Sequence, residues 1–318
     1  MNYEYIEVDR EVAVESAKRL VVDSIWKIAN IELVRGVTFP QTKEIFEGRS
    51  PNNVDVETVV VINNLKHAWQ FLFENIDYPL DYQLLAEYNK IVGAGHYSDP
   101  GKLRNEFVYI SGTDYKPGIP TYEDVKSEIE RISKIENPID RGMEMLSSVS
   151  RGQWFNNGNK RTAQMITNHI LLQSNSAVLA IPVDQQEAFI EELINFYESN
   201  DNRNFKDFLY RTSIEMLPGG LTHPVLKELI LSDFKTRLAP ETASVISLIE
   251  SYPIEKLHQL HTLSREEQDN FFRKLVMKVT PKDLNQRLEK ALKTQQQEQN
   301  KASNSTKETP GHTKGRSL

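Results

Sequence analysis

Apolar positions recur at helical spacing along most of the chain. Between residues 10 and 29, Val12, Val14, Ala17, Leu20, Val21, Ile25 and Ile28 predict an amphipathic helix. Pro40 suits the first turn of a second helix, which Gly48 closes. Val56, Val59, Val60, Ile62, Leu65, Trp69 and Leu72 predict a longer helix over 54–76. Val59 to Ile62 also fits a strand, but no turn signal follows it. A further helix over 80–93 ends at Gly93-Ala94-Gly95.

The pattern then changes. Pro100-Gly101 signals a turn, and Glu106-Phe107-Val108-Tyr109-Ile110 is rich in β-formers. Ser111-Gly112-Thr113-Asp114 can reverse the chain, so a short hairpin is expected, ended by Pro117-Gly118-Ile119-Pro120. Thr121 is placed to cap the next helix, with Asp124 three residues on. Helices follow over 139–150, 159–174, 184–199 and 204–217. Pro218-Gly219-Gly220 is the clearest boundary. Beyond it, helical patterns cover 224–238, 241–251, 254–261, 265–277 and 281–293. From Gln295 the chain is Gln-, Lys-, Ser- and Thr-rich, a composition that predicts a disordered tail over 295–318.

The 318 residues are 39% hydrophobic and 26% charged, ordinary globular figures that allow two domains, or one with an appendage. A net charge of -7 moves a general nucleic-acid binder down the ranking. The chain has no cysteine, which excludes disulfides, thiolate zinc sites and cysteine nucleophiles, and fits a reducing compartment. Glu4, Glu7, Asp9, Glu11 and Glu15 leave no room for a secretory signal, and no apolar run is long enough to span a bilayer. The expectation is a soluble, cytoplasmic protein that does not bind membrane.

The strongest chemical signal is Gly152-Gln153-Trp154-Phe155-Asn156-Asn157-Gly158-Asn159-Lys160-Arg161-Thr162-Ala163. A helix ends near Ser150 and another starts near Gly158. Unpaired N–H groups and a partial positive charge gather at a helix start. Lys160 and Arg161 add two cations where the helix dipole disfavours them, which an anion would offset. The plainer alternative is a helix cap followed by two solvated cations. It is not a Walker A loop, because the glycine spacing is wrong and the preceding element is a helix.

This stretch resembles the signature of the Fic/Doc (Fido) family, His-Pro-Phe-x-[Asp/Glu]-Gly-Asn-[Gly/Lys]-Arg. Phe155, Gly158, Asn159, Lys160 and Arg161 match it, and Thr162-Ala163 continues as in the family's Gly-Asn-Lys-Arg-Thr-Ala branch. Pro100-Gly101-Lys102-Leu103-Arg104 and Val108-Tyr109-Ile110-Ser111-Gly112 are similar to the segment leading into its β-hairpin flap. Gly36-Val37-Thr38 through Glu47-Gly48 resembles the region of its inhibitory helix. The resemblance spans about residues 20–215. It implies a mainly α fold: a Fic-type helical bundle with a short β-hairpin flap and a small C-terminal helical appendage. The implied parts are N-terminal helices over 1–50, a core over 51–217, a helical region over 221–294 and the tail.

What the resemblance implies functionally is AMP transfer to a protein hydroxyl. Asn156, Asn157, Gly158, Asn159, Lys160 and Arg161 would hold the ATP phosphates, and Val108, Tyr109 and Ile110 in the flap would align a target peptide by strand addition. The family's histidine deprotonates the target hydroxyl and its acid holds Mg²⁺. Two departures weaken this. Gln153 stands at the histidine position, and an amide has no useful basicity near neutral pH. Asn157 stands at the acid position and offers Mg²⁺ an uncharged oxygen. The alternatives are a degenerate module that acts by binding, or a Doc-like phosphotransferase toxin of the toxin–antitoxin kind; a homo-oligomer stays open.

Other residues add little. His96, in the loop before the flap, is the only other histidine able to approach as a base. His169 lies about 16 Å along its helix from Gly158. His258 and His261 have metal-ligand spacing without a third ligand, so a solvated face is the plainer reading. Trp154 and Phe155 read as core anchors, with base stacking second, and Tyr115 as a weak nucleotide contact. Aligning Gly36 with the family's inhibitory motif puts Arg35 where its glutamate belongs, so only the helix position carries over.

Overall fold

Side-chain caps set most helix starts in the first half of the chain. The computed structural model describes residues 3–31, 36–237 and 243–276, with residues 286, 289, 290 and 293 beyond them. Apart from those four positions, the helix expected over 281–293 and the tail lie outside the described residues, as do Glu32 to Arg35. After α1 (Arg10–Asn30), Thr38 caps α2 (Phe39–Phe46) in a full capping box with Gln41. Asp55 accepts from Thr58 N at 2.7 Å to start α3 (Val56–Glu74), and Asp81 accepts from Leu84 N at 2.8 Å to start α4 (Tyr82–Gly93). Thr121 accepts from Asp124 N at 3.1 Å to start α5 (Tyr122–Ser133), as expected. Asn137 does the same for α6 (Pro138–Gly152).

The chain divides into two compact units, Met1–Leu226 and Lys227–Leu318. The first contains both the N-terminal helices and the flap and motif segments. Its centre is α7 (Asn159–Gln173), buried at every position from Arg161 to Leu172. A helix buried on all faces must satisfy its own polar groups. Thr167 donates to Ala163 O at 2.7 Å and Gly142 O at 3.0 Å. Asn168 clamps a strand edge, accepting from Leu179 N at 2.7 Å and donating to Leu179 O at 3.0 Å. Gly142 on α6 lets the two helices meet, since a methyl there would lie 3.2 Å from Thr167 Cγ2.

That strand is β1 (Ala177–Leu179), in a small antiparallel sheet of order β1-β2-β3. A 3-10 turn, α8 (Gln186–Ser199) and α9 (Arg203–Thr212) lead to β2 (Ile214–Met216), which pairs with β1 through Val178 and Glu215. β3 (Leu221–Thr222) completes it. Two expectations are corrected here. The helix expected over 204–217 stops at Thr212, where the chain joins the sheet. The hairpin expected over 106–114 forms no ladder: the segment turns at Ser111-Gly112 without strand pairing.

The second unit holds the end of α10 (His223–Arg237), α11 (Ala243–Glu250), α12 (Ile254–Thr262) and α13 (Arg265–Val276). Phe234 packs edge-on against Phe272 at 5.2 Å and against His261 at 5.8 Å. His261 Nε2 lies 3.4 Å from Asp233, a surface ion-pair geometry. Among the described residues no three His, Asp or Glu side chains gather as a metal site, and no helix is long and apolar enough to cross a membrane.

Candidate functional site

The loop between α6 and α7 is built from its own side chains. Gln153 ends α6 in the left-handed conformation (φ 45°), its N–H bonded to Val149 O. Its side chain is occupied at both ends: Nε2 donates to Ser150 O at 2.6 Å, and Oε1 accepts from Asn159 Nδ2 at 3.1 Å. Asn159 staples the loop, accepting from Phe155 N at 2.9 Å and donating to Phe155 O at 2.7 Å. Asn159 is thus buried and engaged inside the loop. Trp154 and Phe155 are buried anchors, as expected.

Residues outside the motif hold this loop, and the sequence reading gave them no role. Asn89 on α4 donates to Asn157 O at 2.9 Å and Thr162 Oγ1 at 3.0 Å, and accepts from Gly101 N at 2.7 Å. Arg104 is 1% exposed, and its guanidinium donates to the carbonyls of Gln153, Glu106, Pro117, Gly118 and Gly152. Among the described residues its partners are carbonyls, whose dipoles solvate it, and burial pushes its pKa down. Arg104 N also bonds to Trp154 O at 3.0 Å, and Leu103 bridges to Phe155. The start of the flap is tied to the motif by one buried cation in place of a ladder.

The start of α7 differs from the helices before it. Gly158 is its N-cap, in the left-handed region at φ 72°, with no side-chain cap and no acidic residue in the first turn. Lys160 is half-buried and Arg161 buried, while Asn156 and Asn157 are exposed. Gly158 does not open space for a ligand alone. Tyr97 from the α4–α5 connection lies against it, and Arg161 donates to the Tyr97 hydroxyl.

Tyr109 and Phe107 are strongly exposed, and Val108 and Ile110 half-buried, so the alternation survives without a strand. Tyr115 is held under the Arg151 guanidinium at 4.0 Å. His96 Nε2 lies 3.4 Å from Glu57, and its ring packs against Tyr97 at 4.7 Å. His169 is buried, bonded through Nδ1 to Tyr88 at 2.8 Å, and burial drives its pKa down to about 4. A cavity of about 500 Å³ is walled by Tyr115, Arg151, Trp154 and Glu144, and a second of about 360 Å³ by Tyr82, Lys90, Gly101 and Tyr122. Residues 156–161 line neither of the two.

Residues 79–171 match the family model described as Fic/DOC family. No curated protein matches the chain. Among solved structures, Fic-1 from C. elegans superposes with a TM-score of 0.53 at 19% identity, covering 61% of this chain and 62% of that one. A Fic domain containing signaling protein from Bacteroides thetaiotaomicron gives a TM-score of 0.50 at 14% identity, covering 58% and 75%. The chain spans less than two thirds of the nematode protein's solved length, and at these identities the likeness is one of fold. The segment that matches the Fic/DOC family model holds α4, α5 and α6, the motif loop and most of α7.

Proposed function

We propose that the α7 end of the loop docks the phosphate of a nucleotide such as ATP, in a domain that does not run AMP transfer by the family's base route. One observation carries this reading. α7 begins without a side-chain cap or a first-turn acid, beside Lys160 and Arg161. An anion there would meet the N–H groups of a helix start, the helix dipole and two cations. ATP phosphates fit that chemistry. Mg²⁺ is a poor fit as a protein-held ion, because the Asn157 side chain offers it only an uncharged oxygen.

The base position supports the second half. Both polar ends of the Gln153 side chain bond inside the loop, so it neither accepts a proton nor points freely at a substrate. His96 is held towards Glu57. A target peptide would lie along Val108, Tyr109 and Ile110, by main-chain pairing that the segment does not make within itself.

The test is incubation with ATP labelled at the α or the γ phosphate, with calorimetry of ATP binding alongside. We expect binding and no transferred label from either position. Label from the α phosphate would restore the adenylyltransferase, label from the γ phosphate would indicate a Doc-like phosphotransferase, and absent binding would remove the site. Restoring the family's groups together, Gln153→His with Asn157→Asp, should raise α-label transfer about 10²–10⁴-fold over the wild-type background.

A further inference from the structure

The contact between Tyr97 and the start of α7 is built from residue choices on both sides. The Tyr97 ring sits in a slot between two glycines. A methyl at Gly93 would come within 2.6 Å of its Cδ2, and one at Gly158 within 2.9 Å of its Cε2. Neither position tolerates a side chain while the ring is in place. The Arg161 guanidinium lies 5.5 Å from the ring centroid, and its Nη2 donates to the hydroxyl. The ring therefore takes up both the glycine face of the loop and a donor of the cation that a phosphate would use.

We infer that Tyr97 is a gate on the phosphate site: its phenol holds Arg161 in the free protein and must swing aside before an anion docks on α7. This rests on the phosphate-docking reading of the same loop. The exchange is chemically favourable. A phenol is a neutral acceptor for one guanidinium N–H, whereas a phosphate is anionic and can accept two in parallel. The ring is half-buried, so leaving exposes limited apolar surface. On its loop Gly95 has a positive φ of 68° and nothing within 4 Å of where its Cβ would be, so no packing opposes a backbone change there. The gate lowers apparent affinity by the fraction of time it is open.

Calorimetric titration with ATP and with pyrophosphate, on the wild-type chain, Tyr97→Phe and Tyr97→Ala, tests the gate. Tyr97→Phe keeps the ring in its slot and removes the bond to Arg161. It should bind both ligands about tenfold more tightly than wild type, and Tyr97→Ala at least as tightly. Binding seen only in the variants supports the gate equally. Equal affinity in all three proteins overturns it and leaves the phosphate site standing. Weaker binding in both variants makes Tyr97 a ligand contact and also overturns the gate. Binding in none of them removes the phosphate site and the gate with it. Thermal melts of each variant identify any that has lost the fold, and Tyr97→Phe then decides alone.

Discussion

At Gly152–Trp154 and at Gly158–Arg161 one short loop meets two helix ends, and their polar groups are in opposite conditions. At the α6 end both sides of the Gln153 amide are bonded, and the carbonyls of Gly152, Gln153 and Trp154 accept from Arg104. At the α7 end the helix starts on a left-handed glycine with no side-chain cap, beside two cations. The first end is saturated from within the chain. The second keeps the physics of an anion site, with Tyr97 laid over it. Arg104 gathers the carbonyls of the first end and Tyr97 covers the second, and the Asn159–Gln153 bond is the contact that joins them.

The most forceful way to break the comparison is to remove the cation that saturates the closed end. Arg104→Met should cost about 4 kcal/mol of stability, because it strands several buried carbonyls at once. Urea unfolding measures it. A loss under about 1 kcal/mol would mean that water satisfies those carbonyls, and the closed end would not be held by Arg104.

The scaffold beside the closed end should respond to acid. Glu144 on α6 is held by Lys206 at 2.9 Å and Arg131 at 2.7 Å. Burial opposes its ionisation, but those bonds outweigh it and hold its pKa down at about 2, from 4.5. Its folded pKa lies below its unfolded one. It therefore adds stability that is fully present above pH 4.5 and is lost as the pH falls through about 2, on the order of 3 kcal/mol. Glu144→Gln should remove most of that slope from unfolding free energy measured across this range; an unchanged slope would assign it to other carboxylates.

How much of this was legible follows from the length scale of each signal. Long helices announce themselves by period and by caps such as Thr121 and Pro40, so α1 to α8 fall close to their expected limits. The three-residue strands are shorter than one helical repeat. Ile214–Glu215–Met216 reads as the end of α9 until β1 and β3 flank it, and Glu215 is kept in a central strand by Lys27 at 2.7 Å. The flap misled for a related reason. Phe107 to Ile110 has strand-like alternation, but a strand needs a partner, and the carbonyls at either end of the segment are gathered by Arg104. The motif loop was noticed through its resemblance to the family signature at Phe155 and Gly158 to Arg161, and local geometry accounts for two of those residues, Gly158 at positive φ and Asn159 bonded to both backbone groups of Phe155. Asn89, Arg104 and Tyr97 act on it from distant positions, through contacts that no local spacing encodes.

The smallest expected effect separates the two ends most cleanly. Lys160→Ala removes a cation from the first turn of α7, and Gln153→Ala removes an amide from the end of α6. If the ends are independent, Lys160→Ala should weaken ATP binding about tenfold, the loss of one charge-assisted contact, and flatten its salt dependence. Gln153→Ala should leave ATP affinity within about twofold while lowering stability by about 1 kcal/mol, the worth of a hydrogen bond that lacks its partner. Calorimetry at two salt concentrations gives the first pair of numbers and urea unfolding the second. Equal losses of affinity in the two variants would mean that the Asn159 staple couples the ends, since Asn159 Nδ2 bonds to both Gln153 Oε1 and Phe155 O. The saturated end would then be shaping the open one, and Gln153 would be a positioning residue for the phosphate site.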